Sequence, residues 1–143
     1  MRFMVIIKGT PESEKEGALL DPQFMADMGK YNEELIKAGI VLAMDGLQPS
    51  SKGARVKFSG KSCTVIDGPF TEAKELVAGF WIWQVKSLEE AIEWVKRCPH
   101  DTDSEIEIRQ VGEMEDFAPI LSEEEIQYKI AKRAELPNQT FNK

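Results

Sequence analysis

Two clusters in this sequence combine side chains of the types that bind polar ligands or move protons. The first is Asp67-Gly68-Pro69-Phe70, followed at once by Glu72, Lys74 and Glu75. An aspartate carboxylate at a turn accepts hydrogen bonds from amides two residues on. Glycine allows backbone geometry that other residues avoid, and proline fixes the next angle. Phe70 supplies an apolar wall. A carboxylate, an ammonium and an aromatic ring on such a stiff corner can hold a polar small molecule, with Gly68, Pro69, Phe70, Glu72 and Lys74 as binding residues. They can also shift one another's pKa values far enough for acid–base work. The same residues equally describe an ordinary turn with solvated charges.

The second cluster is in "SEIEIRQV", where Ile106 and Ile108 alternate with Glu107 and Arg109. On a strand, Glu107 and Arg109 share a face about 7 Å apart along the backbone. A buried charge is costly unless it is paired or meets a ligand. In one reading Arg109 grips a carboxylate-like group, while Asp67 or Glu107 accepts a proton. In the other, Glu107 and Arg109 are an ion pair at the edge of an interface.

Other chemistry is thinly represented. His100 is the single histidine; Asp101 and Asp103 beside it suit an oriented base, but a lone histidine in a polar loop is more often plain surface. Cys63 and Cys98 lack CxxC spacing and no histidine cluster exists, so no metal site is expected. No serine elbow or glycine-rich phosphate loop occurs, and no cofactor is implied.

The elements that must position these residues follow from periodicity. Arg2–Lys8 predicts a strand with Phe3, Val5 and Ile7 on one face and Met4 and Ile6 on the other. Asp21 and Pro22 start a helix whose stripe is Phe24, Met28, Tyr31, Leu35 and Ala38, stopped by Gly39. Residues 40–47 predict a strand, and 54–58 with 62–66 a hairpin turning at Ser59–Gly60. Residues 78–85 predict a strand with Phe80 and Ile82 opposed to Trp81, Trp83 and Val85. Ser87 and Glu90 form a capping box for a helix with the stripe Leu88, Ala91, Ile92 and Val95. Residues 104–111 are the last core strand. Ser122 and Glu125 cap an appended helix to Ala134, and a frayed tail follows.

The whole chain sets bounds. It has 143 residues, 42% hydrophobic and 30% charged, which suits one domain, residues 1–114, with a C-terminal extension over 115–143. The net charge of −7 and the lack of a basic block argue against nucleic acid. No apolar run reaches the roughly 20 residues of a membrane helix. The N-terminus reads as a strand rather than a signal peptide, and two thiols fit a reducing cytoplasm.

Strand, helix, strand, hairpin, strand, helix, strand is the order of an α+β ferredoxin-like βαβ-βαβ sandwich with a hairpin insertion. Two helices cover one face of such a sheet, yet two strands are apolar on both faces. A second copy packed face to face would cover the rest, so a homodimer is expected.

Four segments carry a resemblance: "GLQP" at 46–49, "TVIDGPFTEAKE" at 64–75, "AGFWIWQVKSLEEAIEWVKRCP" at 78–99 and "IEIRQVGEM" at 106–114. Together they resemble the DGPF branch of the YCII-related proteins. The resemblance implies a dimeric α+β barrel in the bacterial cytoplasm, with a cleft between the sheets that binds a small molecule. Similar domains occur alone or beside sigma-factor-like regulators, and for most no reaction is established. By position, Asp67 to Phe70, Glu72 and Lys74 match its signature, and Glu107 and Arg109 its last-strand pair. Gln110 stands where many relatives have proline, and the histidine that other branches pair with an aspartate is absent. Three functions follow as expectations: acid–base catalysis on a small polar or anionic molecule, non-catalytic regulatory binding, or a protein-interaction module.

Overall fold

The first strand, β1 (Arg2–Lys8), is interior to a four-stranded antiparallel sheet. The computed structural model describes residues 1–15, 21–100 and 103–137. Residues 16–20 of the first loop, Asp101 and the tail beyond 137 lie outside the described residues. On one side β1 pairs with β5 (Val77–Gln84), with Phe3 opposite Trp83 and Val5 opposite Trp81. On the other it pairs with β6 (Ile106–Gln110), with Val5 opposite Ile108. β2 (Val41–Gly46) completes the order β2-β5-β1-β6. With the hairpin β3 (Ala54–Ser59) and β4 (Ser62–Asp67) set aside as its own two-stranded sheet, this order is consistent with a ferredoxin-like fold.

Cross-strand partners share a face, so the register sorts every side chain. Phe3, Val5, Trp81, Trp83, Ile106 and Ile108 face α1 (Pro22–Lys37) and α2 (Leu88–Val95), and the core forms there. An irregularity between Val41 and Ala43 sets Val41 opposite Trp83 and Met44 opposite Trp81, so both join that face. Trp83, Phe3, Leu35 and Val5 are fully buried. Each buried indole removes roughly 200 Å² from water, about 5 kcal/mol before entropy is subtracted. Tyr31 meets Trp81 edge to face at 6.0 Å, and its hydroxyl donates to the Trp94 carbonyl at 2.7 Å, which ties α1 to α2.

Local signals explain the helix ends. The Asp21 carboxylate accepts from the Gln23 amide, and Pro22 follows it. At the other end Gly39 adopts φ +73°. Its amide bonds the Ile36 carbonyl, and the Ile40 amide bonds the Leu35 carbonyl, closing a Schellman motif over the buried Leu35–Ile40 pair. In α2 the Ser87 hydroxyl accepts from the Glu90 amide, but the Glu90 carboxylate accepts from Lys86, one residue before the cap.

The α2 stripe differs from the expected one. Ala91, Trp94 and Val95 pack on the core, while Leu88 and Ile92 are exposed. The large Trp94 ring sets the rotation of this short helix, and Leu88 and Ile92 fall on its flank. The segment Ser50–Lys52 forms a 3-10 turn, and the hairpin turns at Gly60–Lys61 rather than Ser59–Gly60 because Ser59 still pairs with Ser62.

The second face of the sheet carries Met4, Ile6, Phe80 and Ile82, all half-buried, with Glu107 and Arg109 at one edge. The C-terminal helix α3 (Glu123–Ala134), capped by the full Ser122–Glu125 box, buries none of its residues.

Where β6 leaves the sheet, the Arg2 guanidinium meets the Glu113 carboxylate through two bonds of 2.7 and 2.8 Å. Arg2 is largely buried, and its hydrogen bonds hold the Glu113 carboxyl below the usual carboxylate range. A depressed pKa contributes stability that is fully present above the unfolded value near 4.3 and is lost as pH falls through the folded value. Glu113→Gln should therefore destabilise the protein by about 1 kcal/mol at pH 7, discounted for the partial exposure of Glu113. The gap should shrink between pH 7 and pH 3, as the wild-type carboxyl takes up a proton and the ion pair is lost. Urea melts of both proteins at the two pH values test this; an equal gap at both would show that the ion pair contributes nothing.

Candidate functional site

The Asp67-Gly68-Pro69-Phe70 corner lies at the base of the β3–β4 hairpin, where Asp67 ends β4 and is exposed. The Gly68–Pro69 peptide is cis. A side chain at Gly68 would collide with the Ser50 carbonyl, so glycine is required by close approach. The Gly68 amide donates to the Gly53 carbonyl at 3.0 Å, and the Phe70 amide to the Ser50 hydroxyl at 3.0 Å. Ser50 in turn donates to Glu14 through its hydroxyl at 2.6 Å and its amide at 3.0 Å. The Arg55 guanidinium lies 3.8 Å over the Phe70 ring. The corner thus clamps the hairpin to the Ser50–Lys52 turn and to the loop after β1.

Glu72 precedes a second 3-10 turn, Ala73–Glu75, which backs onto Gly9; a Cβ there would come within 2.6 Å of the Ala73 carbonyl oxygen. Lys74, on that turn, lines a polar cleft of about 190 Å³ with Lys8, Asp103, Ser104 and Glu105. Glu107 and Arg109 lie on the second face of the sheet. Glu107 stands 3.8 Å from the Lys8 ammonium and 3.4 Å from the Arg109 guanidinium, which is 72% exposed. Of the predicted residues, Glu107 and Arg109 come together, Lys74 joins Lys8, and Asp67 to Phe70 form the hairpin clamp. Asp67, Glu107 and Arg109 line neither this cleft nor the larger cavity below.

That larger cavity, about 580 Å³, opens on the helix side at the end of the sheet. Its apolar lining includes Ile7, Phe24, Met28, Met44, Trp81 and Ile106. Nine of its 22 lining residues are polar, with the bases Lys8 and His100 beside the acids Glu12, Asp21 and Asp45. A cavity of this size with aromatic and methionine walls and a set of polar groups has the make-up of a small-molecule site. Asn32 accepts from the Trp81 indole at 2.9 Å, so its amide donors are what it can offer a ligand. Cys98 also lines the cavity; its thiol donates to the Pro99 carbonyl and burial pushes its pKa up to about 11. It is therefore protonated at neutral pH and no nucleophile. Among the described residues no three His, Cys, Asp or Glu side chains group as metal ligands.

Sequence reasoning missed this cavity. Its space comes from small residues: Gly46 lies opposite Gly79, and Ala78 is beside them. Gly79 also lets β2 approach, since a Cβ there would come within 3.1 Å of the Asp45 carbonyl oxygen. The Gly46/Gly79 pair within apolar strands, with Met25, Met28 and Met44 nearby, was the available signal.

An uncharacterised protein of Rhizobium meliloti (strain 1021) is 30% identical over 76 residues, which are 53% of this chain and 61% of that protein. The chain thus spans less than two thirds of the length of this curated relative. The family model described as YCII-related domain matches residues 1–115, which takes in the sheet, both core helices and every residue of the cavity, and the chain belongs to that family.

Proposed function

We propose that the protein binds a small molecule with an apolar or aromatic body and a polar, anionic end in the helix-side cavity. The cavity itself carries this reading: about 580 Å³ floored by Trp81, Phe24 and methionines, with Lys8 and His100 among its polar lining groups. Methionine and aromatic walls adapt to flat apolar bodies. Lys8 offers the ammonium that an anionic end requires. Histidine is the side chain most used for proton transfer, so acid–base chemistry in this cavity falls to His100 rather than to Asp67 or Glu107.

We further propose a homodimer closed by the second face of the sheet, as a dimeric α+β barrel of the DGPF branch, with residues 115–143 an appendage to the binding unit. Four half-buried apolar side chains on that face, and an α3 that buries nothing, support it. In such a dimer Glu107 and Arg109 would border the space between the sheets, which is the second place an anion could bind. A non-catalytic regulatory role uses the same cavity without turnover.

A thermal-shift screen of small carboxylic acids with apolar or aromatic bodies tests the site. Ligand at 100 times its Kd stabilises by about 2.7 kcal/mol, a shift of several degrees. Ala78→Phe, which fills the cavity, should abolish the shift, and Arg109→Ala should keep it. The opposite pattern would move the site between the sheets and sink the cavity reading. Thiol labelling gives a second measure. Two pK units leave Cys98 about 100-fold less thiolate than an ordinary cysteine, so it should label slowly. Bound ligand should slow Cys98 further; unaltered Cys98 kinetics with a genuine ligand would place that ligand elsewhere.

A further inference from the structure

The hairpin is the one two-stranded sheet among the described residues, and all twelve residues of its strands are exposed. Two strands alone are marginal in water, yet this pair is held stiffly at its base by the Glu14–Ser50–Phe70 bonds and the Gly53–Gly68 bond. Its register makes it amphipathic. Val56 pairs with Val65 and Phe58 with Cys63 on one face; Arg55 pairs with Ile66 and Lys57 with Thr64 on the other. Phe58 is 77% exposed, Val65 63% and Val56 52%, an apolar face with nothing on it.

Charge says what belongs there. Residues 46–66 form the longest acid-free stretch of the chain, and they carry Lys52, Arg55, Lys57 and Lys61. The rest of the chain holds 14 basic against 25 acidic residues. Two copies carry net charge of the same sign, and the basic arm of one against the acidic body of the other is a pairing of opposite sign. An acidic body of that size also disfavours a nucleic-acid partner.

We propose that the β3–β4 hairpin is a dimer arm that lays its Val56–Phe58–Val65 face on a second copy of this chain, with Lys61 of its turn meeting acids at the rim. Six residues per strand give a reach of about 20 Å. Each arm face presents roughly 200 Å², so two arms with their receiving surfaces account for roughly 800 Å² of the 1,200–2,000 Å² that a stable interface buries. The second face of the sheet supplies the remainder, so the arm rests on the homodimer reading above and extends it. The Asp67 to Phe70 corner then has a role in assembly: it aims the arm.

Sedimentation velocity over a concentration series tests this. Phe58→Thr with Val65→Thr keeps strand-forming residues but removes apolar area, and should raise the dimer Kd at least tenfold. Lys61→Glu should weaken the dimer in 50 mM salt, and 0.5 M salt should shrink the difference from wild type. Ile82→Asp, on the sheet face, should dissociate the dimer by itself. If both arm variants sediment as wild type while Ile82→Asp dissociates, the arm is refuted and the sheet-face dimer stands. A wild type monomeric at 50 μM refutes both, and one that instead shifts duplex DNA assigns the arm to nucleic acid.

Discussion

The register of β1 between its two neighbours is the constraint on which the other features depend. Val5 lies opposite Trp81 on one side and Ile108 on the other, so the two pairings specify the same face. A slip of one residue would drive Phe3 and Val5 out and Met4 and Ile6 in, and would leave both tryptophans facing the wrong partners. The core tolerates a defect to keep this arrangement. The Trp83 indole N–H is buried with no acceptor, an omission of about 1–3 kcal/mol, which the roughly 5 kcal/mol from burying the ring outweighs. The same register delivers Glu107 opposite Ile6, and Phe80 between Ile6 and Asp45, so the charges of the second face are placed by the packing of the first.

The segment with the most chemical character in the sequence performs a mechanical task. Asp67 to Phe70 looks like a binding loop because it joins a turn, an aromatic ring and charges. Two of its backbone amides are bonded locally, Gly68 to Gly53 and Phe70 to Ser50, which in turn bonds Glu14, while the Asp67 side chain is exposed. Even the Phe70 ring is covered by Arg55 rather than presented to a cavity. Stiffness at this point matters because everything beyond it projects from the body of the protein with no helix beneath it.

Alternation made the sheet legible. β1, β5 and β6 each carry a period-two pattern strong enough to assign faces, and the Asp21, Ser87 and Ser122 caps placed the helix starts. Where residues competed, the reading was less secure. Leu88 and Ile92 matched a helical stripe as well as Trp94 did, and only packing shows that the larger ring wins. The main cavity was illegible for a different reason. It consists of volume left out at Gly46, Ala78 and Gly79, and its walls come from segments far apart in the chain. Each wall residue taken singly reads as core. Glu107 and Arg109 were legible as a pair because a strand fixes their spacing, whereas the Lys8 that completes the group comes from the neighbouring strand.

Lys8 is the side chain that joins the parts of this site. It lines the apolar cavity and the polar cleft that holds Lys74, and it stands 3.8 Å from Glu107 on the second face. Charge-assisted N–H···O bonds are commonly 2.7–2.9 Å, so both contacts of Glu107, with Lys8 and with Arg109 at 3.4 Å, are loose. The Arg2–Glu113 pair at 2.7 Å shows how tightly this fold closes an ion pair whose task is structural. A loose partner leaves the Lys8 ammonium able to turn to an anion in the cavity at little electrostatic cost, because Arg109 remains to balance Glu107. The contrast between the two ion pairs therefore separates a charge that holds the fold, Arg2 with Glu113, from the loosely paired Lys8 that the proposed ligand would engage.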